Sequence, residues 1–172
     1  MIYFEIIQTI DRPAEEVFRF LGNLSNMTNW NYYIQSVTKI SGGNIGEGTI
    51  FEQKRPHDLH QFKITEYQLP HKVVVQLQPP GPDLQYGFTL TPLERSTKVV
   101  YHWRLHLEKY KLLKYLPGGT VKRWLLFFAD RIIQTRVKPA VGQNFSKLKT
   151  LLEAGEVLLQ DGRQIVLTSQ MM

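Results

Sequence analysis

The run from Ile10 to Trp30, Ile-Asp-Arg-Pro-Ala-Glu-Glu-Val-Phe-Arg-Phe-Leu-Gly-Asn-Leu-Ser-Asn-Met-Thr-Asn-Trp, constrains the fold of this chain more than any other segment. It sets a short helix, a second half-helix and a tryptophan directly behind an N-terminal strand. Asp11 is placed to cap, and Pro13 suits a first turn whose amide hydrogens have no partner. Glu15 and Glu16 stand where the helix dipole favours negative charge. Val17, Phe18 and Leu21 then form one apolar face.

Around this pair, period-two runs that end in turn residues predict strands near 2–10, 34–41, 48–55, 60–68, 71–78, 83–92 and 97–107, as an antiparallel meander requires. In the last of them Val99, Tyr101, Trp103, Leu105 and Leu107 alternate with Val100, His102, Arg104 and His106, so the odd positions face inward. The same parity turns Leu84, Tyr86, Phe88 and Leu90 inward, and Val73, Val75 and Leu77 before them. From Val121 the spacing becomes three and four. Val121, Leu125, Phe128, Ile132 and Thr135, then Val141, Phe145, Leu148 and Leu152, predict a long helix whose stripe opposes the sheet. Pro139 lacks an amide hydrogen, so a kink or break is expected near Arg136 to Lys138. The 172 residues suffice for one domain with a real core, read as 1–155. Residues 156–172 form a C-terminal extension, with a hairpin expected over 157–167 around Asp161-Gly162.

Taken in order, these features resemble the SRPBCC or START-like superfamily, in its polyketide cyclase/dehydrase and lipid-transport group. The residues that carry the resemblance are Pro13-Ala-Glu-Glu-Val-Phe18, the Trp30-Asn31 pair, the glycine-rich turn from Gly42 to Gly48, the corner Glu66-Tyr67-Gln68-Leu69-Pro70 and the long C-terminal helix. The resemblance implies an α+β helix-grip fold. In that fold a curved antiparallel sheet of about seven strands wraps around a long C-terminal helix, with two short helices after the first strand and a cavity beneath the bent helix. It further implies binding, and transport, of a hydrophobic small molecule or lipid. Aromatase/cyclase-dehydratase chemistry in the same cavity and a pocketless protein-interaction module are the alternatives. Tyr86, Phe88, Tyr101, Trp103, Trp124 and Phe128 are the residues expected to line the ligand.

Composition narrows the chemistry. The chain has no cysteine, which removes disulfides, thiolate nucleophiles and sulfur-ligated metals together. His102 and His106, four apart on one strand, stand about 13 Å from each other and cannot share a metal. His57 and His60 flank an exposed turn with Asp58, so no metal and no cofactor are expected. There is no Gly-x-Ser-x-Gly elbow. Ring closure and dehydration would instead need a general acid or base, for which Glu52, Glu66 and Arg131 are the candidates beside Tyr86 and Tyr101. The glycines from Gly42 to Gly48 precede a strand rather than a helix, which argues for a turn and against a phosphate cradle.

The net charge is +6, and between Arg104 and Lys149 the only acids are Glu108 and Asp130. No nucleic-acid module accompanies this basic half, so nucleic acid is not an expected partner. The apolar run Trp124 to Ala129 is too short to span a bilayer and the N-terminus does not read as a leader, so a soluble cytoplasmic protein, monomeric or weakly dimeric, is expected. Segment 108–120 sets Tyr110, Leu113 and Leu116 among Lys109, Lys111 and Lys114 and ends in Pro117-Gly118-Gly119. It is expected to act as a portal, with transient contact to an anionic membrane.

Overall fold

Seven strands form one antiparallel sheet in the computed structural model, which describes residues 1–107 and 119–171. Strand β1 (Ile2–Ile10) leads into helix α1 (Ala14–Gly22) and a 3-10 turn (Leu24–Asn29). The meander follows as β2 (Ser36–Lys39), β3 (Ile50–Lys54), β4 (Leu59–Gln68), β5 (Lys72–Leu77), β6 (Leu84–Pro92) and β7 (Thr97–Leu105). The strand order is β1-β7-β6-β5-β4-β3-β2, an open sheet with β1 and β2 at its edges. Helix α2 (Gly119–Ile132), a π-helical turn (Ile133–Val137) and α3 (Lys138–Ala154) make up the long C-terminal helix. This is the expected α+β helix-grip architecture. Among the described residues no helix is long and apolar enough to cross a membrane.

Alternation along the strands decides which face α3 covers. Val73, Val75, Leu77, Tyr86, Phe88, Leu90, Val99, Tyr101 and Leu105 are buried, whereas Lys98 and Arg104 between them are exposed. From the helix, Phe145, Leu148, Leu151 and Leu152 meet that face and are fully buried. Polar bonds then fix the end of α3. Arg12 Nε donates to the Leu152 carbonyl at 2.7 Å, and the Asp11 amide donates to the Glu153 carboxylate at 2.7 Å. Gly155, with φ of 81°, closes the helix in the left-handed conformation that glycine adopts without steric cost.

Three local expectations need correction. Helix α1 starts at Ala14 with Pro13 at its cap position, so Asp11 lies two residues before the cap and no side chain caps the helix. The break expected near Arg136 to Lys138 is realised as the π turn at Ile133–Val137, where the Lys138 amide donates to the Ile133 carbonyl five residues back. Pro139 cannot donate to the preceding turn, and the wider turn accommodates its ring without ending the helix. The third correction concerns the helix stripe. Val121, Leu125, Phe128, Ile132 and Thr135 do not oppose the sheet but are exposed, while Ile133 is buried and Ala129 and Val137 pack on the core. A residue added in the π turn shifts the helical phase, so one apolar stripe cannot stay inward on both sides of it.

Behind α3, β8 (Glu156–Leu158) and β9 (Gln164–Val166) pair as a hairpin, with Gly162 at φ of 86° in its turn. Val157 and Leu159 are buried in the same core as the sheet, and Arg163 donates to the carbonyls of Thr28 and Tyr32. Leu159→Ala is therefore expected to cost about 2–5 kcal/mol, as a core truncation does, rather than the near-zero effect of trimming a loose tail. Two glycines make a second test. A Cβ on Gly87 would lie 2.6 Å from the Val73 carbonyl oxygen, whereas one on Gly142, within α3, would meet nothing within 4 Å. In thermal melts Gly87→Ala should lose about 1–3 kcal/mol and Gly142→Ala should gain about 0.5–1 kcal/mol.

Candidate functional site

The inner face of β6 and β7 carries a cluster of rings built by strand parity. Tyr86, Phe88 and Tyr101 are all inward and buried. The centroids of Phe88 and Tyr101 are 5.4 Å apart, and Phe145 of α3 sits 4.9 Å from Tyr101 and 5.9 Å from Phe88. Beneath α3 this part of the interior is occupied by protein side chains. Trp103 stands further along β7, stacked on Phe4 at 5.0 Å and half-buried. Leu84, Leu107 and Ala129, also half-buried, pack against the same core. The structure thus gathers Tyr86, Phe88, Tyr101 and Trp103 on one apolar face. It does not bring Trp124 and Phe128 to them: those two rings stack on each other at 5.8 Å and stand exposed on α2.

Helix α2 itself projects from the domain. Gly119, Thr120, Val121, Arg123, Trp124, Leu125, Phe127 and Phe128 are exposed on it, and Leu126 is half-buried. A recess of about 340 Å³ lies at its start, lined among the described residues by Thr120, Arg123, Trp124 and Phe127. Of the expected portal, Tyr110, Leu113, Leu116 and Gly118 lie outside the described residues, and Gly119 opens the helix.

None of the charged acid-base candidates faces this interior. Glu52 lies on the outer side of β3, where Gln61 donates to it at 3.5 Å. Glu66 pairs with Lys72 at 2.8 Å, and Arg131 is exposed on α2. The buried polar side chains among the described residues are Asn26, Thr49, Gln53, Thr97 and Asn144, with no carboxylate, imidazole or amine. Two phenols remain. Burial raises Tyr101 well above the usual tyrosine range and raises Tyr86 as well, and the Tyr86 hydroxyl donates to the Met27 sulfur at 3.5 Å.

The outer face holds a constellation that the sequence did not disclose. His102 Nδ1 lies 3.0 Å from the Glu5 carboxylate and 3.1 Å from the Tyr3 hydroxyl, while its Nε2 lies 3.0 Å from Thr89 Oγ1. The hydrogen bond from Tyr3 holds the Glu5 carboxyl below the ordinary range. Carboxylate, imidazole and hydroxyl therefore follow one another as in a proton relay. Of these, His102 and Thr89 border a hollow of about 360 Å³ that is also lined by Thr65, Glu66, Lys72, Gln85, Gly87 and Arg104. Thr89 pairs with Lys72 on one side and Val100 on the other, so the backbone around it is committed to the sheet and offers no oxyanion hole. What could have revealed the cluster is the register of β1 on β7, which sets Glu5 opposite His102. The alternation of a single strand does not contain it.

Solved structures share this fold at low identity. The di-domain ARO/CYC BexL from the BE-7585A biosynthetic pathway superimposes with a TM-score of 0.63 at 15% identity, covering 88% of this chain and 47% of that one. The chain thus spans about half the length of that protein. The Aha1 dimer from Colwellia psychrerythraea gives 0.60 at 17% identity, covering 90% and 98%, and MLL2253 from Mesorhizobium loti gives 0.61 at 14%, covering 90% and 99%. No curated protein matches the chain in sequence. The family model described as polyketide cyclase / dehydrase and lipid transport matches residues 1–153, most of the strands and helices described above, and the chain belongs to that family.

Proposed function

We propose that the protein binds a hydrophobic small molecule or lipid at the half-buried margin of its aromatic face, at Trp103. The observation that carries this reading is the apolar lining itself. It runs from the closed ring cluster around Tyr101 through Trp103, stacked on Phe4, without a charged inward residue among the buried described side chains. Such a surface recognises an apolar ligand by burial and shape, and transport between compartments or membranes extends the same reading.

Cyclase-dehydratase chemistry is the second reading, supported by the family and by the fold of the di-domain ARO/CYC structure. Binding is preferred because ring closure needs a group that exchanges protons near neutrality. The buried phenols are displaced the other way, since burial disfavours their ionised form. Glu52, Glu66 and Arg131 stand away from the inner face.

Two measurements follow. Full-length protein purified without denaturant should release an apolar molecule on organic extraction in native mass spectrometry. Delipidated protein should bind a fluorescent fatty acid, and Trp103→Ala should weaken that binding by about tenfold or more, as loss of a buried aromatic contact does. An empty protein that also ignores the probe would overturn the binding reading. The second is a pH titration. Because both phenols are raised in the folded state, their contribution to stability is full below the unfolded tyrosine value of about 10 and is lost as pH climbs above it. Tyr86→Phe and Tyr101→Phe should therefore remove nothing from the phenolate absorbance that appears near pH 10 in folded protein. Loss of amplitude near neutrality in either variant would favour the cyclase.

A further inference from the structure

We infer that the outward face of α2 docks on anionic bilayer surfaces. Trp124, Phe127 and Ile132 are each 58% exposed, Phe128 55%, Val121 49% and Leu125 44%. At helical spacing Val121, Trp124, Leu125, Phe128 and Ile132 form one stripe, beside the line of Ala129 and Ile133 that packs on the domain. The exposed rings also gather instead of dispersing. Trp124 lies 5.8 Å from Phe128 and 6.3 Å from Phe127, and Phe127 lies 5.9 Å from Phe128. A contiguous apolar surface of this kind is stable in water only at a cost that a partner removes.

Charge and length choose the partner. Asp130 is the one acid on α2, whereas Arg123 and Arg131 are exposed on it and Arg136 is exposed in the π turn. Among the described residues none of these three arginines is in an ion pair. Arginine beside tryptophan and phenylalanine on an amphipathic helix matches the headgroup boundary, where rings enter the acyl region and guanidinium groups meet phosphate. The helix has 14 residues, enough to lie in that plane and too few to cross it. Arg123 also borders the recess at Trp124 and Phe127, which places a cation beside an apolar slot. A second copy of the chain is the poorer occupant, because a two-fold contact through this face would set its arginines against one another.

The test uses the full chain with vesicles of phosphatidylcholine alone and of phosphatidylcholine mixed with phosphatidylglycerol. The expected result is co-sedimentation with the anionic vesicles, weakened by high salt. Arg123→Gln with Arg131→Gln should weaken it by about 25-fold, at about fivefold for each cation near such a surface. Trp124→Ser with Phe128→Ser should abolish it. These side chains are exposed, so melting temperatures should stay unchanged. Brominated lipid should quench tryptophan emission in the natural chain and not in Trp124→Phe, which keeps Trp30 and Trp103 as internal controls. Binding to neither vesicle, binding that survives the serine pair, or a doubled mass in sedimentation that the serine pair halves without any vesicle binding would each overturn the proposal. The lipid-extraction result is independent of all three.

Discussion

Phe145 is the contact on which the rest of the molecule depends. Its ring is fully buried and lies 4.9 Å from Tyr101, 5.9 Å from Phe88 and 5.4 Å from Trp30, so one side chain of α3 joins two central strands to the segment behind α1. Burying a phenylalanine contributes about 1.5–3 kcal/mol, and each well-placed ring pair adds about 0.5–1.5 kcal/mol. The Arg12 and Asp11 bonds to the end of α3 then fix the helix along its length as well as across its width. The C-terminal hairpin, with Val157 and Leu159 buried, can pack only because α3 is held there.

That anchoring ends at the π turn. Residues from Lys138 onward pack with one helical phase, and the residues before Ile133 continue in another, with Pro139 denying the helix its regular hydrogen bond between them. The consequence is functional. The aromatic interior is sealed beneath α3 and half-open at Trp103, while the apolar side of α2 meets solvent. One helix thus supplies both a lid over the core and an unpartnered surface, and the change of phase separates the two.

Chemistry is distributed across the sheet by the same parity. Inner positions collected rings and aliphatic side chains, which recognise shape and exclude water. Outer positions collected Glu5, His102, Thr89, Lys72 and Glu66, which pair with one another through ion pairs and hydrogen bonds. The apolar face and the ionisable groups therefore lie on opposite sides of one layer. This separation suits a binding protein better than a catalyst that must bring both to one ligand.

Much of this was readable from residue order. Alternation in 73–77, 84–90 and 97–107 identified the inner side chains because a strand has only two faces and the apolar one must be buried. Asp161-Gly162 announced the hairpin, and Pro139 announced an irregular helix, because each acts on its immediate neighbours. The orientation of α2 was not readable. Three- and four-residue spacing marks Val121, Leu125, Phe128 and Ile132 as one stripe, yet says nothing of whether a surface lies opposite it. The partners of His102 were equally hidden, since Glu5 and Thr89 reach it only through the registers of β1 and β6 on β7. Local geometry is set by residues a few positions apart, and so it is written in the sequence. Register and helix phase are set by contacts between residues further apart, 13 positions for Thr89 with His102 and 97 for Glu5 with His102, and those came into being only when the chain closed on itself.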